Sequence, residues 1–189
     1  MNESLDFSPE DIELMLSNLD VFNETEALEI DRMVDELNNR TANASAYNDL
    51  IEFCKLMMPE FIVGKHHRIL ADMLMAIERG EKDRICVNIP PRHGKSQLVS
   101  IFFPAWFLGR NPGKKVMMVS HTTDLAVDFG RKVRNLIASD DYRAIFPTVK
   151  LAQDSKSAGR WNTNVGGEYY ACGIGSALAG RGADLLLID

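Results

Sequence analysis

Apolar positions recur along this chain with two different periods, and the changes of period mark out its elements. Ser8-Pro9-Glu10-Asp11 has the form of a helix start, with Ser8 as N-cap, proline at the first position and acids in the first turn. Ile12, Met15, Leu16 and Leu19 then fall on one helical face. Leu28, Ile30, Met33, Val34 and Leu37 predict a second helix from about Thr25 to Leu37. The small polar stretch from Asn38 to Ser45 reads as a linker. A third helix is predicted over Asp49–Met58, stopped by Pro59. A fourth covers His66–Glu78, with Ile69, Leu70, Met73, Leu74 and Ile77 on one face and Gly80 as its stop.

Beyond Gly80 the pattern becomes that of alternating strands and helices. Ile85–Ile89 is predicted as a buried strand, followed by a tight loop and an apolar helix to about Leu108. A glycine- and proline-rich turn leads to a second strand over Lys115–His121. Thr122 or Thr123 can cap the next helix, which runs to about Ala138. Trp161–Val165 and Tyr169–Ile174, joined through Gly166-Gly167, predict a hairpin. The last residues, Leu185 to Ile188, form an apolar strand tipped by Asp189. The expectation is an α/β fold: a mainly parallel sheet flanked by helices, with a hairpin insertion and an N-terminal helical appendage.

Charge sharpens the division. Residues 1–45 hold 12 acidic and 2 basic side chains, whereas residues 46–189 hold 15 acidic and 19 basic ones. An acidic helical arm (1–45) is therefore expected before a mildly basic body (46–189), and a basic body suits a phosphate-rich ligand or nucleic acid. No apolar run reaches the roughly 18 residues of a membrane span. The acidic start resembles neither a secretory signal nor a transit peptide. Cys54, Cys86 and Cys172 are widely spaced and odd in number, which fits reduced core thiols in a cytosolic setting.

The chemistry concentrates in Pro90-Pro91-Arg92-His93-Gly94-Lys95-Ser96. A loop ending Gly-Lys-Ser between a buried strand and a helix is how many proteins hold nucleotide phosphates. Ile89 stands where the usual pattern has its first glycine. Gly94 permits close backbone approach to phosphate oxygens, and N–H groups at the helix N-terminus point at the anion. Lys95 would charge-pair with the β- and γ-phosphates, and Ser96 would be a Mg²⁺ ligand. Asp189, at the tip of an apolar strand about 93 residues later, fits the acid that holds Mg²⁺ in such ATPases. The expected nucleotide site is therefore Pro91, Arg92, His93, Gly94, Lys95 and Ser96, with ATP and Mg²⁺ as ligands. Arg92 either touches phosphate or braces the loop, and His93 contributes its backbone. No general-base role is evident for His66, His67, His93 or His121.

From about Phe61 to Asp189 the chain resembles the ATPase domain of the large terminase subunit of tailed bacteriophages. The resemblance rests on Ile89–Ser96, on Gly166-Gly167-Glu168-Tyr169-Tyr170-Ala171-Cys172-Gly173, and on the segment from Leu178 to Asp189. The helix with His66-His67-Arg68-Ile69-Leu70 also stands where the family has an apolar helix before the nucleotide strand. The resemblance implies a P-loop NTPase fold of the ASCE type and a motor that hydrolyses ATP to drive double-stranded DNA into a procapsid. It implies a homo-oligomeric ring working at the portal with a small terminase subunit, in the host cytoplasm and not in the mature virion. Arg181 corresponds to an arginine that acts across the subunit interface as a finger; the alternative is pairing with a surface acid such as Asp184. Were Asp189 the true end, the chain would be a fragment, expected to lack the family's residue after the Walker B acid Asp189, its coupling motif and its nuclease domain. The sheet is accordingly expected to be incomplete, and the chain to bind nucleotide better than it hydrolyses it. Other expectations compatible with the residues are a helicase- or recombination-like ATPase, or a nucleotide-dependent assembly module without turnover.

Overall fold

The computed structural model describes Leu14, Ser17 and residues 23–153, 157–176 and 180–189. Apart from Leu14 and Ser17, the helix expected over Ser8 to Leu19 lies outside the described residues. The chain divides into two compact units, Met1–Ala44 and Ser45–Asp189.

Helix α1 spans Glu24–Asn48. Its start is a capping box: the Asn23 side chain accepts from the N–H groups of Thr25 and Glu26, and Glu26 accepts from Asn23 N–H at 2.9 Å. The stretch expected to be a linker, 38–45, is helical instead. It contains no glycine or proline, and its alanines favour helix. Arg40 pairs with Glu36 one turn back at 2.7 Å, and the Thr41 hydroxyl bonds the Leu37 carbonyl. Small polar residues without a breaker permit a helix as readily as a loop.

In the second unit, α2 (Leu50–Met57) is capped by Asp49, whose carboxylate accepts from Ile51 and Glu52 N–H at 2.7 and 3.0 Å. Helix α3 (Lys65–Glu78) buries His67, Leu70, Ala71, Leu74, Met75 and Ala76. Ile69 and Met73, expected on its inner face, are exposed. The described helix after the Pro90–Gly94 loop begins at Lys95 and widens into a π-helical segment, Gln97–Phe102, before α4 (Phe103–Arg110). Pro104 accounts for this irregularity: it has no N–H to donate and its ring would crowd the Ser100 carbonyl in an α-turn. The chain then forms β1 (Lys115–Ser120), α5 (Thr123–Ala138), α6 (Asp140–Ile145), β2 (Arg160–Asn162), β3 (Glu168–Gly173) and β4 (Leu185–Ile188). Thr122 caps α5 and Ser139 caps α6.

The four strands form one mixed sheet in the order β2-β3-β1-β4. β1 runs parallel to both β3 and β4, and β2 pairs antiparallel with β3 through Trp161 opposite Tyr169. The α/β expectation holds at this level. The expected strand Ile85–Ile89 does not join the sheet. Its side chains still alternate, with Ile85, Val87 and Ile89 packed on the core and Cys86 and Asn88 exposed. Period-two burial thus persists without a ladder, because β4 pairs only with β1 among the described residues.

One face of the sheet carries Val116, Met118, Tyr169, Ala171, Leu185 and Leu187 into the main core. Phe53 anchors that core, meeting Phe102 and Tyr142 edge-to-face and Phe146 at a tilt. Trp106 and Tyr142 have their buried polar ends bonded, whereas the buried Tyr169 hydroxyl has no hydrogen-bond partner among the described residues. The Trp106 indole N–H donates to the Ala46 carbonyl and the Tyr142 hydroxyl to the Ala105 carbonyl. Met117, Val119, Tyr170 and Cys172 form a smaller cluster on the opposite face. Leu186 and Ile188 share that face by register and are exposed.

Candidate functional site

Two elements far apart in sequence meet at the C-terminal edge of the sheet. The first is the loop Pro90–Gly94, which delivers Lys95 and Ser96 into the start of a helix. Arg92 and Gly94 both sit at positive φ, 65° and 73°. That conformation is ordinary for glycine and costly for arginine, so the loop holds strain at Arg92. The His93 ring folds back to the Pro91 carbonyl at 2.9 Å. The second element is β4, whose ladder with β1 continues through Asp189 N–H to the Val119 carbonyl at 3.0 Å.

Lys95 Nζ lies 2.6 Å from Asp189 Oδ1, and the Ser100 hydroxyl donates to Asp189 Oδ2 at 3.3 Å. Burial by itself would raise the Asp189 carboxyl. Hydrogen bonding from Lys95 and Ser96, the Lys95 charge and the Ser100 hydroxyl outweigh it and hold the group below the ordinary aspartate range. Ser96 and Ser100 reach the same carboxylate from successive turns of one helix. Ser100 went unrecognised in the sequence, although its spacing from Ser96 was a usable signal.

Gly94 is also confined from outside the loop. His67, buried on α3, places Nε2 2.9 Å from the His93 carbonyl, and His66 Nε2 lies 3.2 Å from the same oxygen. A Cβ on Gly94 would stand 2.5 Å from His67 Nε2. Nothing in the local sequence around His66-His67 signals this contact.

Arg181 is not brought to Lys95 and Asp189. Its guanidinium stacks over the Tyr170 ring at 4.2 Å, in a cavity of about 210 Å³ that Lys115 and Met117 also line, at the start of β1. Asp184, the acid considered as its partner, is instead taken by Lys114 Nζ at 2.9 Å and by Lys115 N–H at 2.8 Å. Lys114, and then the Lys115 N–H, hold the Asp184 carboxyl below its usual value. Pro91, Arg92 and His93 make up the exposed outer part of the loop.

The arrangement offers an ammonium group, helix-start N–H groups, two hydroxyls and one carboxylate at a single point. Oxygen donors of this kind suit a hard divalent cation that keeps part of its water shell. Among the described residues, no group of three or more His, Cys, Asp or Glu is gathered for a metal. None of the described helices is long and apolar enough to cross a membrane.

Comparison with curated proteins and with solved structures returned no match. The family profile described as terminase large subunit, T4-like-virus type, N-terminal, matches residues 86–189, more than half of the chain. The matched span contains the Pro90–Ser96 segment and Asp189, in agreement with the resemblance carried by those residues. Membership of this family implies a role in phage DNA packaging. The chain belongs to the terminase large subunit family, in its T4-like N-terminal region.

Proposed function

We propose that this chain is the nucleotide-binding part of a DNA-packaging ATPase with a P-loop fold. The observation that carries the reading is the contact between Lys95 and Asp189, 94 residues apart, at the mouth of a loop with glycine in the left-handed conformation. In this reading Pro91–Ser96 wrap the phosphates, with backbone N–H groups of the loop and helix start donating to them. Lys95 exchanges its bond to Asp189 for the β- and γ-phosphate oxygens. Asp189 and Ser96 would be the residues that hold Mg²⁺, through their oxygens. Bound Mg²⁺ would neutralise charge on the transferring phosphoryl group. Ser100 keeps Asp189 oriented while Lys95 changes partner. Arg181 serves a neighbouring subunit's nucleotide rather than its own, which accords with its seat over Tyr170 in a cavity that neither Lys95 nor Asp189 lines. In the working motor the chain acts within a homo-oligomeric ring at the portal of a procapsid, with the small subunit and double-stranded DNA as partners.

Titration with ATP and Mg²⁺ tests the reading. Lys95→Ala is expected to abolish binding, and Asp189→Asn to remove the Mg²⁺ dependence of affinity. Arg181→Ala is expected to spare binding and to cut turnover only in the assembled full-length enzyme. Unchanged ATP affinity in Lys95→Ala would refute the nucleotide site. Full turnover in Arg181→Ala would refute the finger role.

A further inference from the structure

We propose that His67 is the positioning residue of the phosphate loop, holding it in its phosphate-ready conformation through the His93 carbonyl and the space beside Gly94. This inference rests on the nucleotide-site reading above. The hydrogen bonds fix the tautomer. Gly64 N–H donates to His67 Nδ1 at 3.0 Å, so Nδ1 carries no proton. In the neutral ring the proton is then on Nε2, which donates to the His93 carbonyl at 2.9 Å. The backbone of α3's first turn thus sets which nitrogen faces the loop.

The ring is fixed from behind as well. His67 is 6% exposed, and its ring packs on Phe61, which packs edge-on against Phe102 in the core. A rigid path therefore runs from the core through Phe61 and His67 to the residues that precede Lys95. Its target needs such support: Arg92 has positive φ and the backbone of 85–89 makes no ladder, so neighbouring backbone holds the loop weakly. His66 stands 3.1 Å from His67 Nε2 and shares the His93 carbonyl, whose two lone pairs can serve both rings. The fixed member of the pair is His67, because His66 is only partly buried.

The role predicts selectivity for phosphates. His67→Ala is expected to weaken ATP binding by about three- to tenfold, the size of one hydrogen bond. AMP, which lacks the β- and γ-phosphates, should keep its affinity. His67→Gln retains an N–H at a similar reach and should recover most of the ATP affinity. In the unaltered chain, long-range ¹H–¹⁵N spectra should show His67 as the Nε2–H tautomer, a result that needs no variant to fold. Equal losses for ATP and AMP, no recovery with glutamine, or an Nδ1–H tautomer would each overturn the inference. Unchanged ATP affinity in His67→Ala, with binding lost in Lys95→Ala, would overturn it and leave the nucleotide site standing. Unchanged affinity in Lys95→Ala would overturn both.

Discussion

Gly94→Ala separates two physical demands that meet at one residue. The backbone demand comes from φ at 73°, where a Cβ costs about 1–2 kcal/mol. The packing demand comes from His67 Nε2, 2.5 Å from where that Cβ would stand. Displacing the ring breaks its bond to the His93 carbonyl, worth about 1 kcal/mol. Alanine returns about 0.5 kcal/mol by restricting the unfolded chain. The net expectation is a loss of about 2 kcal/mol. Urea unfolding followed by tryptophan fluorescence measures it, since Trp106 and Trp161 are both buried in the second unit. The double variant Gly94→Ala/His67→Ala removes the clash and keeps the backbone cost. Its loss should fall short of the two single losses added together by about 1 kcal/mol. A single-variant loss under about 0.5 kcal/mol, or additive losses, would refute the account of why glycine stands there.

Arg92→Gly should relieve the positive-φ strain and leave the chain about 0.5 kcal/mol more stable after glycine's entropic cost, while ATP affinity falls several-fold. A clear loss of stability with unchanged affinity would contradict this. The depressed Asp189 carboxyl adds stability that is complete above the ordinary aspartate value of about 3.9 and disappears as pH falls through the folded-state value. Asp189→Asn should therefore flatten the acid limb of a urea-midpoint profile, with Asp184 supplying part of the slope that remains. An unchanged limb would show that the Lys95 contact is not held in solution.

Local periodicity was sufficient where burial follows local pattern. α2, β1, α5 and the hairpin were legible because their apolar residues meet the core at the spacing their backbone sets. It failed where a long-range partner decides. Ile85–Ile89 has the alternation of a strand, but a ladder also needs a neighbouring edge, and alternation carries no information about that. The π-helical segment follows from Pro104, a residue that the apolar pattern of its helix conceals. α6 spans only six residues, too few for a period to reveal it. In the candidate site, Lys95, Ser96 and Asp189 were legible because their chemistry is carried by residue type. His67 was not, because its role depends on a tautomer fixed by the Gly64 backbone and a carbonyl 26 residues away.

The tip of β4 raises a question of address. Leu185, Leu186, Leu187 and Ile188 are all aliphatic, so sliding the strand by one residue would exchange one greasy pair for another. Hydrophobicity alone gives this strand two nearly equivalent settings. The setting is instead spelled out by its polar ends: Asp184 is latched to Lys114 and the Lys115 N–H, and Asp189 to Lys95 and Ser100. Asp184 therefore acts as the ruler from which Asp189 is measured, and a residue at the far end of the strand fixes where the acid of the site comes to rest.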